Sequence, residues 1–139
     1  MTTLYHLWLS PFCRKVRIVL WEKSVDFEMK AEDLWRRRPE FLALNPACEV
    51  PVLVLDDAGT IADSTSICEY LEETYPEPAL IHGSAGDRAE IRRLVAWFDC
   101  KFNTEVTRNL VGEKIMKRFL KRGEPDTRAI RAGKQNIHT

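Results

Sequence analysis

The feature that most constrains this 139-residue chain is a change of pattern at a break rich in proline and glycine. The break runs from Pro76 to Gly86. Before it, short β-favouring runs alternate with helix patterns, and after it apolar residues recur only at helical spacing. We therefore predict an α/β domain over residues 1–78, a linker over 79–86 and a helical domain over 87–139. At about 100–200 residues per domain, the length suits one domain and part of a second.

The first part predicts the order strand, helix, strand, helix, strand, strand, helix. The strands are expected at 3–8, 26–29, 50–55 and 60–62, and the helices at 11–23, 38–44 and 64–75. A crossover through the first helix predicts a parallel strand pair, and the turn Asp56-Asp57-Ala58-Gly59 predicts an antiparallel hairpin. This order describes an α/β thioredoxin-like domain, with a mixed four-stranded sheet and helices.

The second part predicts a long amphipathic helix, because apolar residues follow one another every three or four positions. They are Ile91, Leu94, Val95, Phe98, Phe102, Val106 and Leu110. Asp126 is predicted to cap one more helix that continues towards Thr139. So few helices make an incomplete all-α domain, so we expect its apolar stripe to be covered by a missing part of the protein or by another subunit.

Composition excludes several classes of protein. The net charge is zero with 45% apolar residues, which is typical of a soluble globular chain. The first apolar stretch is broken by charged residues and no signal peptide is visible, so we expect a cytoplasmic protein that does not act in the membrane. The four cysteines are scattered and no histidine has ligand spacing, which predicts reduced thiols and no metal site. No nucleic-acid-binding module is visible either.

The first candidate for chemistry is Ser10-Pro11-Phe12-Cys13, at a strand-to-helix junction. The N-terminus of a helix favours an anion, so a thiolate there is stabilised and the Ser10 hydroxyl could donate to it. The alternative is that Ser10 only caps the helix. The tetrapeptide has the form of a dithiol redox motif whose first cysteine is serine, which makes Cys13 a packed thiol rather than a nucleophile.

Two further places carry polar groups that could bind a ligand. If the Val50–Pro51 bond is cis, it would present the backbone of Val50 to an extended peptide, whereas a trans proline would mark an edge strand. Asp63 and Ser64 stand at a helix N-terminus, where backbone N–H groups can hold a carboxylate and Asp63 can pair with an ammonium group. The alternative is that these two residues only cap that helix.

Taken together and in this order, these segments resemble the glutathione transferase superfamily, from about Thr3 to Tyr75 and less specifically beyond. The resemblance implies that glutathione is the co-substrate and that Ser10 is the catalytic hydroxyl that stabilises its thiolate. It implies that Val50 and Pro51 bind the cysteinyl part, and that Asp63 and Ser64 bind the γ-glutamyl part. Phe12, Cys13 and Glu49 are accessory candidates.

Two departures from the family pattern concern the activity. Many members have a basic residue before the Val-Pro pair, able to help hold the glycyl carboxylate of glutathione, where this chain has Glu49. Family members also continue through several more helices, which supply much of the pocket for the electrophile.

These observations leave three functional hypotheses. The first is a glutathione transferase that attacks a small-molecule electrophile. The second is a non-catalytic relative that binds a protein partner, as some bacterial members acting on the transcription machinery do. The third is a glutathione-dependent disulfide reductase that works through Cys13.

The charge distribution adds an expectation about assembly. Residues 1–84 carry 8 basic and 14 acidic side chains, and residues 85–139 carry 13 basic and 7 acidic ones. Family dimers pack the first domain of one subunit on the helical domain of the other. Opposite charges would favour that encounter, so we expect a homodimer. Alternatively, the basic side chains of residues 85–139 form a solvated helix face or a docking patch for an acidic partner.

Overall fold

The computed structural model describes residues 1–57 and 59–138, which separate into two compact units, Met1–Leu80 and Ile81–Thr139. The first unit contains strands β1 (Thr3–His6), β2 (Glu28–Ala31), β3 (Val52–Val54) and β4 (Thr60–Ala62), and helices α1 (Pro11–Glu22), α2 (Pro39–Leu44) and α3 (Ser64–Thr74). A 3-10 turn at Leu34–Arg36 precedes α2.

The four strands form one sheet in the order β2-β1-β3-β4. β1 and β2 are parallel because the chain crosses between them through α1, whereas β3 pairs antiparallel with both β1 and β4. The Leu55 N–H donates to the Gly59 carbonyl at 2.8 Å and continues the hairpin, in which Ala58 lies outside the described residues. The predicted thioredoxin-like domain, its parallel pair and its hairpin are confirmed.

The sheet separates two apolar clusters because successive side chains of a strand point to opposite faces. Leu4 of β1 and Leu53 of β3 pack with buried residues of α1 and α3, which are Val16, Leu20, Ile67 and Leu71. On the other face, Val52 packs with Phe41 of α2 and Cys48. The sheet is therefore held between α1 and α3 on one side and α2 on the other.

Three strands of this unit differ from the predictions. β1 ends at His6 instead of Trp8. β2 begins at Glu28 instead of Asp26, and all four of its residues are exposed, so no alternation of burial could mark its register. β3 covers only Val52–Val54 of the predicted 50–55 run. Pro51 has no N–H to donate to a neighbouring strand, and it comes directly before the strand begins.

A buried lysine ties α1 to the chain segment that follows α3. The Nζ of Lys23 contacts the Glu72 carboxylate at 2.6 Å and donates to the carbonyls of Tyr75 at 2.7 Å and Pro78 at 2.8 Å. Three acceptors compensate for the removal of this ammonium group from water. Glu72 also accepts the Leu80 N–H at 2.9 Å, so the end of the first unit is fixed by this cluster.

The second unit is helical. It contains α4 (Ala85–Trp97), a π-helical segment (Phe98–Met116), α5 (Lys117–Phe119) and α6 (Thr127–Asn136). Ser84 and Asp87 form a reciprocal cap at the start of α4, and the Asp126 carboxylate accepts the Arg128 N–H, which confirms the predicted cap of α6. Gly133 of α6 lies against Asn109 and Leu110 of the π-helical segment.

The winding of the long helix differs from the predicted α-helix. The Lys117 N–H bonds the Gly112 carbonyl, five residues back, where an α-helix would use four. Phe98, Phe102, Val106 and Leu110 recur every four residues, a spacing longer than the 3.6 residues of an α-helical turn. Such a spacing keeps apolar residues near one face in either winding, so the sequence pattern could not separate the two.

Candidate functional site

The first predicted group is at the N-terminus of α1. Ser10 is the N-cap, and its hydroxyl oxygen accepts the backbone N–H of Cys13 at 3.2 Å. Pro11 suits the first helical position, because a residue there makes no use of its backbone N–H. A serine hydroxyl has one O–H donor and two acceptor lone pairs, so capping does not use its proton. The Ser10 side chain also hydrogen-bonds the Cys13 thiol, so a ligand would have to accept the Ser10 proton in place of Cys13.

Cys13 is fully buried beneath this cap. Its sulfur accepts the Leu7 N–H at 3.4 Å. Burial raises the pKa of the Cys13 thiol, while hydrogen bonds from Ser10 and Leu7 and the charge of Arg17 act in the opposite direction. A buried thiol with a raised pKa is a poor nucleophile, which weighs against a reductase that works through Cys13.

The second predicted group is the segment before β3. The Val50–Pro51 peptide bond is cis, which is the form that the family resemblance implies. Asn45 orders the preceding turn: its side-chain amide donates to the Glu49 carbonyl at 2.9 Å, and its side-chain oxygen accepts the Ala47 N–H at 3.2 Å. Asn45 was not a predicted site residue, although its place before Pro46 marks it as a turn residue.

The third predicted group opens α3. Asp63 is the N-cap in a left-handed conformation with φ 76°, and its Oδ1 accepts the N–H groups of Thr65 at 2.7 Å and Ser66 at 3.2 Å. Asp63 is exposed, whereas Ser64 is buried. The capping role considered for Asp63 is present, and its other carboxylate oxygen, Oδ2, makes no hydrogen bond within the described residues.

The second and third groups share one pocket of about 250 Å³ with Phe12 from α1. Its lining residues are Phe12, Asn45, Ala47, Glu49, Val50, Pro51, Ala62, Asp63 and Ser64. Six of the eight predicted site residues therefore lie together, while Ser10 and Cys13 are not among the lining residues. Ser10 precedes Phe12 by two residues and stands at the start of the same helix.

A buried polar cluster that sequence reasoning missed lies between β1 and α1. The guanidinium of Arg17 contacts the Nδ1 of His6 at 2.9 Å, donates to the Trp8 carbonyl at 3.3 Å and lies 5.0 Å from the centroid of the Trp8 ring. Burial and, to a smaller extent, the charge of Arg17 lower the pKa of His6. A lowered pKa favours neutral imidazole, which can accept a hydrogen bond from Arg17.

Two kinds of site are absent from the part of the chain that the structure describes. Within residues 1–57 and 59–138, no group of histidine, cysteine, aspartate and glutamate side chains could hold a metal ion. None of the helices in that part of the chain is long and apolar enough to cross a membrane.

Comparison with known proteins gives a consistent result. The family model described as the N-terminal domain of glutathione S-transferase matches residues 9–74. FtsZ-localized protein A of Caulobacter vibrioides is 42% identical over 138 residues, which cover 97% of this chain and 60% of that protein. Maleylacetoacetate isomerase of Pseudomonas aeruginosa is 38% identical over 102 residues, which cover 70% of this chain and 48% of that protein.

A solved structure is similar over almost the whole chain. The crystal structure of a glutathione S-transferase from Rhodospirillum rubrum is 59% identical with a TM-score of 0.96, and the match covers 99% of this chain and 62% of that one. Sheet order, helix placement and this likeness define a thioredoxin-like domain followed by a helical region. The chain belongs to the glutathione transferase superfamily. It spans between about half and two thirds of the length of these relatives.

Proposed function

We propose that the pocket of the first unit binds glutathione and that the protein transfers it to a small-molecule electrophile. The observation that carries this proposal is the pocket lining, which includes Val50–Pro51 and Asp63–Ser64 together with Phe12. These segments are far apart in the sequence. A purely structural role for each would not require that they line one cavity.

The γ-glutamyl group of the ligand would bind at the start of α3. Its carboxylate is suited to the positive end of a helix dipole, and its ammonium group is suited to the Asp63 carboxylate. The Asp63 hydrogen bonds to Thr65 and Ser66 both end on Oδ1, so Oδ2 remains for the ammonium group.

The cysteinyl part would pair with the backbone of Val50. β1 ends at His6, and its last pairing with β3 joins Tyr5 to Val52. The N–H and C=O of Val50, two residues before Val52, make no hydrogen bond within the described residues. An extended peptide can use such groups for a short β-type pairing.

The thiol would then lie near the N-terminus of α1, where Ser10 donates to its thiolate. A shift of one pKa unit corresponds to about 1.4 kcal/mol. A hydrogen bond to a charged group contributes about 1.5–3 kcal/mol, so one hydroxyl is sufficient to lower the thiol pKa by about one unit or more. The thiolate then attacks the electrophile, its sulfur forms the new bond, and the leaving group departs with the electron pair of the broken bond.

A set of Ser10 variants tests the catalytic role separately from the cap. Ser10→Gly keeps a residue type that is favourable at an N-cap but removes the side-chain donor, and Ser10→Thr keeps a capping hydroxyl. We expect the pKa of the bound glutathione thiol, followed by thiolate ultraviolet absorbance, to rise in Ser10→Gly and to stay near the wild-type value in Ser10→Thr. Transferase activity should fall in Ser10→Gly and persist in Cys13→Ala, whereas a reductase that used Cys13 would behave in the opposite way.

A second candidate function is protein binding without catalysis. FtsZ-localized protein A is 42% identical over nearly the whole chain, and its name records localisation to FtsZ. Calorimetry separates the two candidates. If millimolar glutathione produces no binding heat and no thermal shift, the transferase proposal is removed. Co-sedimentation with FtsZ polymers would then test the second candidate directly.

The proposal includes a cytoplasmic homodimer. The opposite charges of residues 1–84 and 85–139 favour pairing between unlike parts of two copies, and all four cysteines are free thiols, as in a reducing compartment. We expect light scattering to give the mass of a dimer at low salt and a shift towards monomer at high salt. A monomer at every protein concentration would count against this assembly.

A further inference from the structure

The pocket of the first unit has an unusual charge for a site that would bind glutathione. Two of its lining residues, Glu49 and Asp63, are acidic, and no lysine or arginine is present among its lining residues in the described part of the chain. Glutathione carries two carboxylates and one ammonium group at neutral pH. Asp63 suits the ammonium group, but nothing in the lining offers a cation to the second carboxylate.

The order of residues along the pocket shows which end of the ligand would meet Glu49. Three chain segments line the pocket besides Phe12: Ala62–Ser64, Val50–Pro51, and the turn that contributes Asn45, Ala47 and Glu49. Asp63 and Ser64 would take the γ-glutamyl group and Val50 the cysteinyl group. The glycyl group would then be left with the third segment, in which Glu49 is the charged residue.

The backbone at Glu49 is held in place. The buried Asn45 side chain donates to the Glu49 carbonyl at 2.9 Å and accepts the Ala47 N–H at 3.2 Å, which fixes both sides of this turn. The cis bond after Val50 fixes the other side. Glu49 is an exposed residue of the pocket lining, so its carboxylate is attached to a backbone whose position is fixed.

We propose that Glu49 is a specificity-determining residue that disfavours a free glycyl carboxylate. The preferred ligands would be γ-glutamylcysteinyl thiols whose carboxyl terminus is neutral or cationic, such as an amide with a diamine. This inference rests on the proposed function, because it assumes that the γ-glutamyl and cysteinyl groups bind as described. Like charges at close range repel one another, and salt weakens the repulsion at an exposed position.

Calorimetric titration with three related thiols tests this inference. The probes are glutathione, its glycyl ethyl ester and its amide with 1,3-diaminopropane, which carry a negative, neutral and positive group at that end. We expect the wild-type protein to bind the ester about threefold to tenfold more tightly than glutathione, and the cationic amide at least as tightly as the ester. The difference should shrink as salt is added.

Two substitutions assign the preference to Glu49. Glu49→Gln should remove most of the difference between ester and glutathione, and Glu49→Lys should reverse it in favour of glutathione. Glu73→Gln and Glu73→Lys are matched controls, since Glu73 is exposed, is absent from the pocket lining and lies about 13 Å along α3 from Ser64. These control variants should keep the wild-type order of the three thiols.

The outcomes distinguish this inference from the proposed function. Wild-type protein that binds glutathione as tightly as its ester, or more tightly, would overturn the role of Glu49 and leave the transferase proposal intact. Absence of binding for all three thiols in wild type and both Glu49 variants would overturn both proposals. Glutathione binding that is weak in wild type and clearly tighter in Glu49→Gln and Glu49→Lys would support the role of Glu49.

Discussion

The two units of the chain bury their apolar side chains to very different extents. Among the residues that the structure describes, ten apolar residues of the first unit are buried, on both faces of its sheet, whereas the second unit has only Val106 in that class. Several large apolar side chains of the second unit stay exposed, and they include Leu94, Trp97, Phe98, Ile115, Phe119 and Ile137. The first unit therefore has a core of its own, and the second buries little apolar surface by itself.

A matched pair of leucine substitutions tests this difference. Leu53 of β3 is fully buried, so Leu53→Ala should reduce the free energy of unfolding by about 2–5 kcal/mol, because it removes apolar contacts and leaves a cavity. Leu94 of α4 is 43% exposed, so Leu94→Ala should cost less than about 1 kcal/mol. Urea unfolding measures both changes. Equal losses would contradict the contrast between the two units.

Loss of the buried Lys23 ammonium group should have the next largest effect. Lys23→Met keeps much of the apolar stem but leaves the Glu72 carboxylate and two backbone carbonyls without their cation. Removing one partner of a buried ion pair costs about 3–5 kcal/mol, and the slight exposure of Glu72 places the expected loss near the lower end. The control Lys30→Met changes an exposed lysine of β2, and a similar loss in both variants would argue against the cluster.

Two glycines of the second unit differ in how closely other residues pack around them. A Cβ on Gly133 would lie 2.9 Å from the Asn109 Cβ, so Gly133→Ala should destabilise the contact of α6 by about 1–3 kcal/mol. A Cβ on Gly112 would meet nothing within 4 Å, so Gly112→Ala should stabilise the helix by about 0.5–1 kcal/mol. Thermal unfolding gives the sign of each change. A stabilising effect of Gly133→Ala would show that helix packing at Gly133 is not close.

The smallest expected effect is a pH dependence that originates in the first unit. Burial and Arg17 lower the pKa of His6, so the unfolded chain binds a proton more readily than the folded one. The stabilisation is present in full above the unfolded pKa of about 6.5 and is lost as the pH falls below it. Unfolding measured from neutral to mildly acidic pH should show a shallower loss in His6→Gln than in wild type. An identical pH dependence would contradict this origin.

Sequence patterns predicted those helices and strands in which one face is buried and the other is exposed. β4 and the start of α3 occur at their predicted positions, because turn residues and a helix cap lie next to alternating or amphipathic runs. β2 was misplaced by two residues because it pairs through its backbone while its side chains stay exposed. The winding after Trp97 could not be predicted from a four-residue spacing.

The candidate site could also be predicted only in part, because local sequence patterns do not mark contacts between distant segments. Ser10, Val50 and Asp63 could be selected because serine, an X-Pro bond and aspartate have local signatures at turns and helix starts. The contacts of Asn45 and the burial of Arg17 with His6 depend on chain segments distant in sequence, so no local pattern marks them. Glu49 could be noticed from the sequence, but its place in the pocket lining comes from the structure.

The central claim is that the pocket of the first unit binds a γ-glutamylcysteinyl thiol, and backbone amide NMR with glutathione ethyl ester tests it most directly. We predict saturable shifts at the amides of Ala47–Val50 and Ser64–Ser66, and little change along α6. Shifts that stay absent at millimolar ester, or that occur only in the second unit, would contradict the claim.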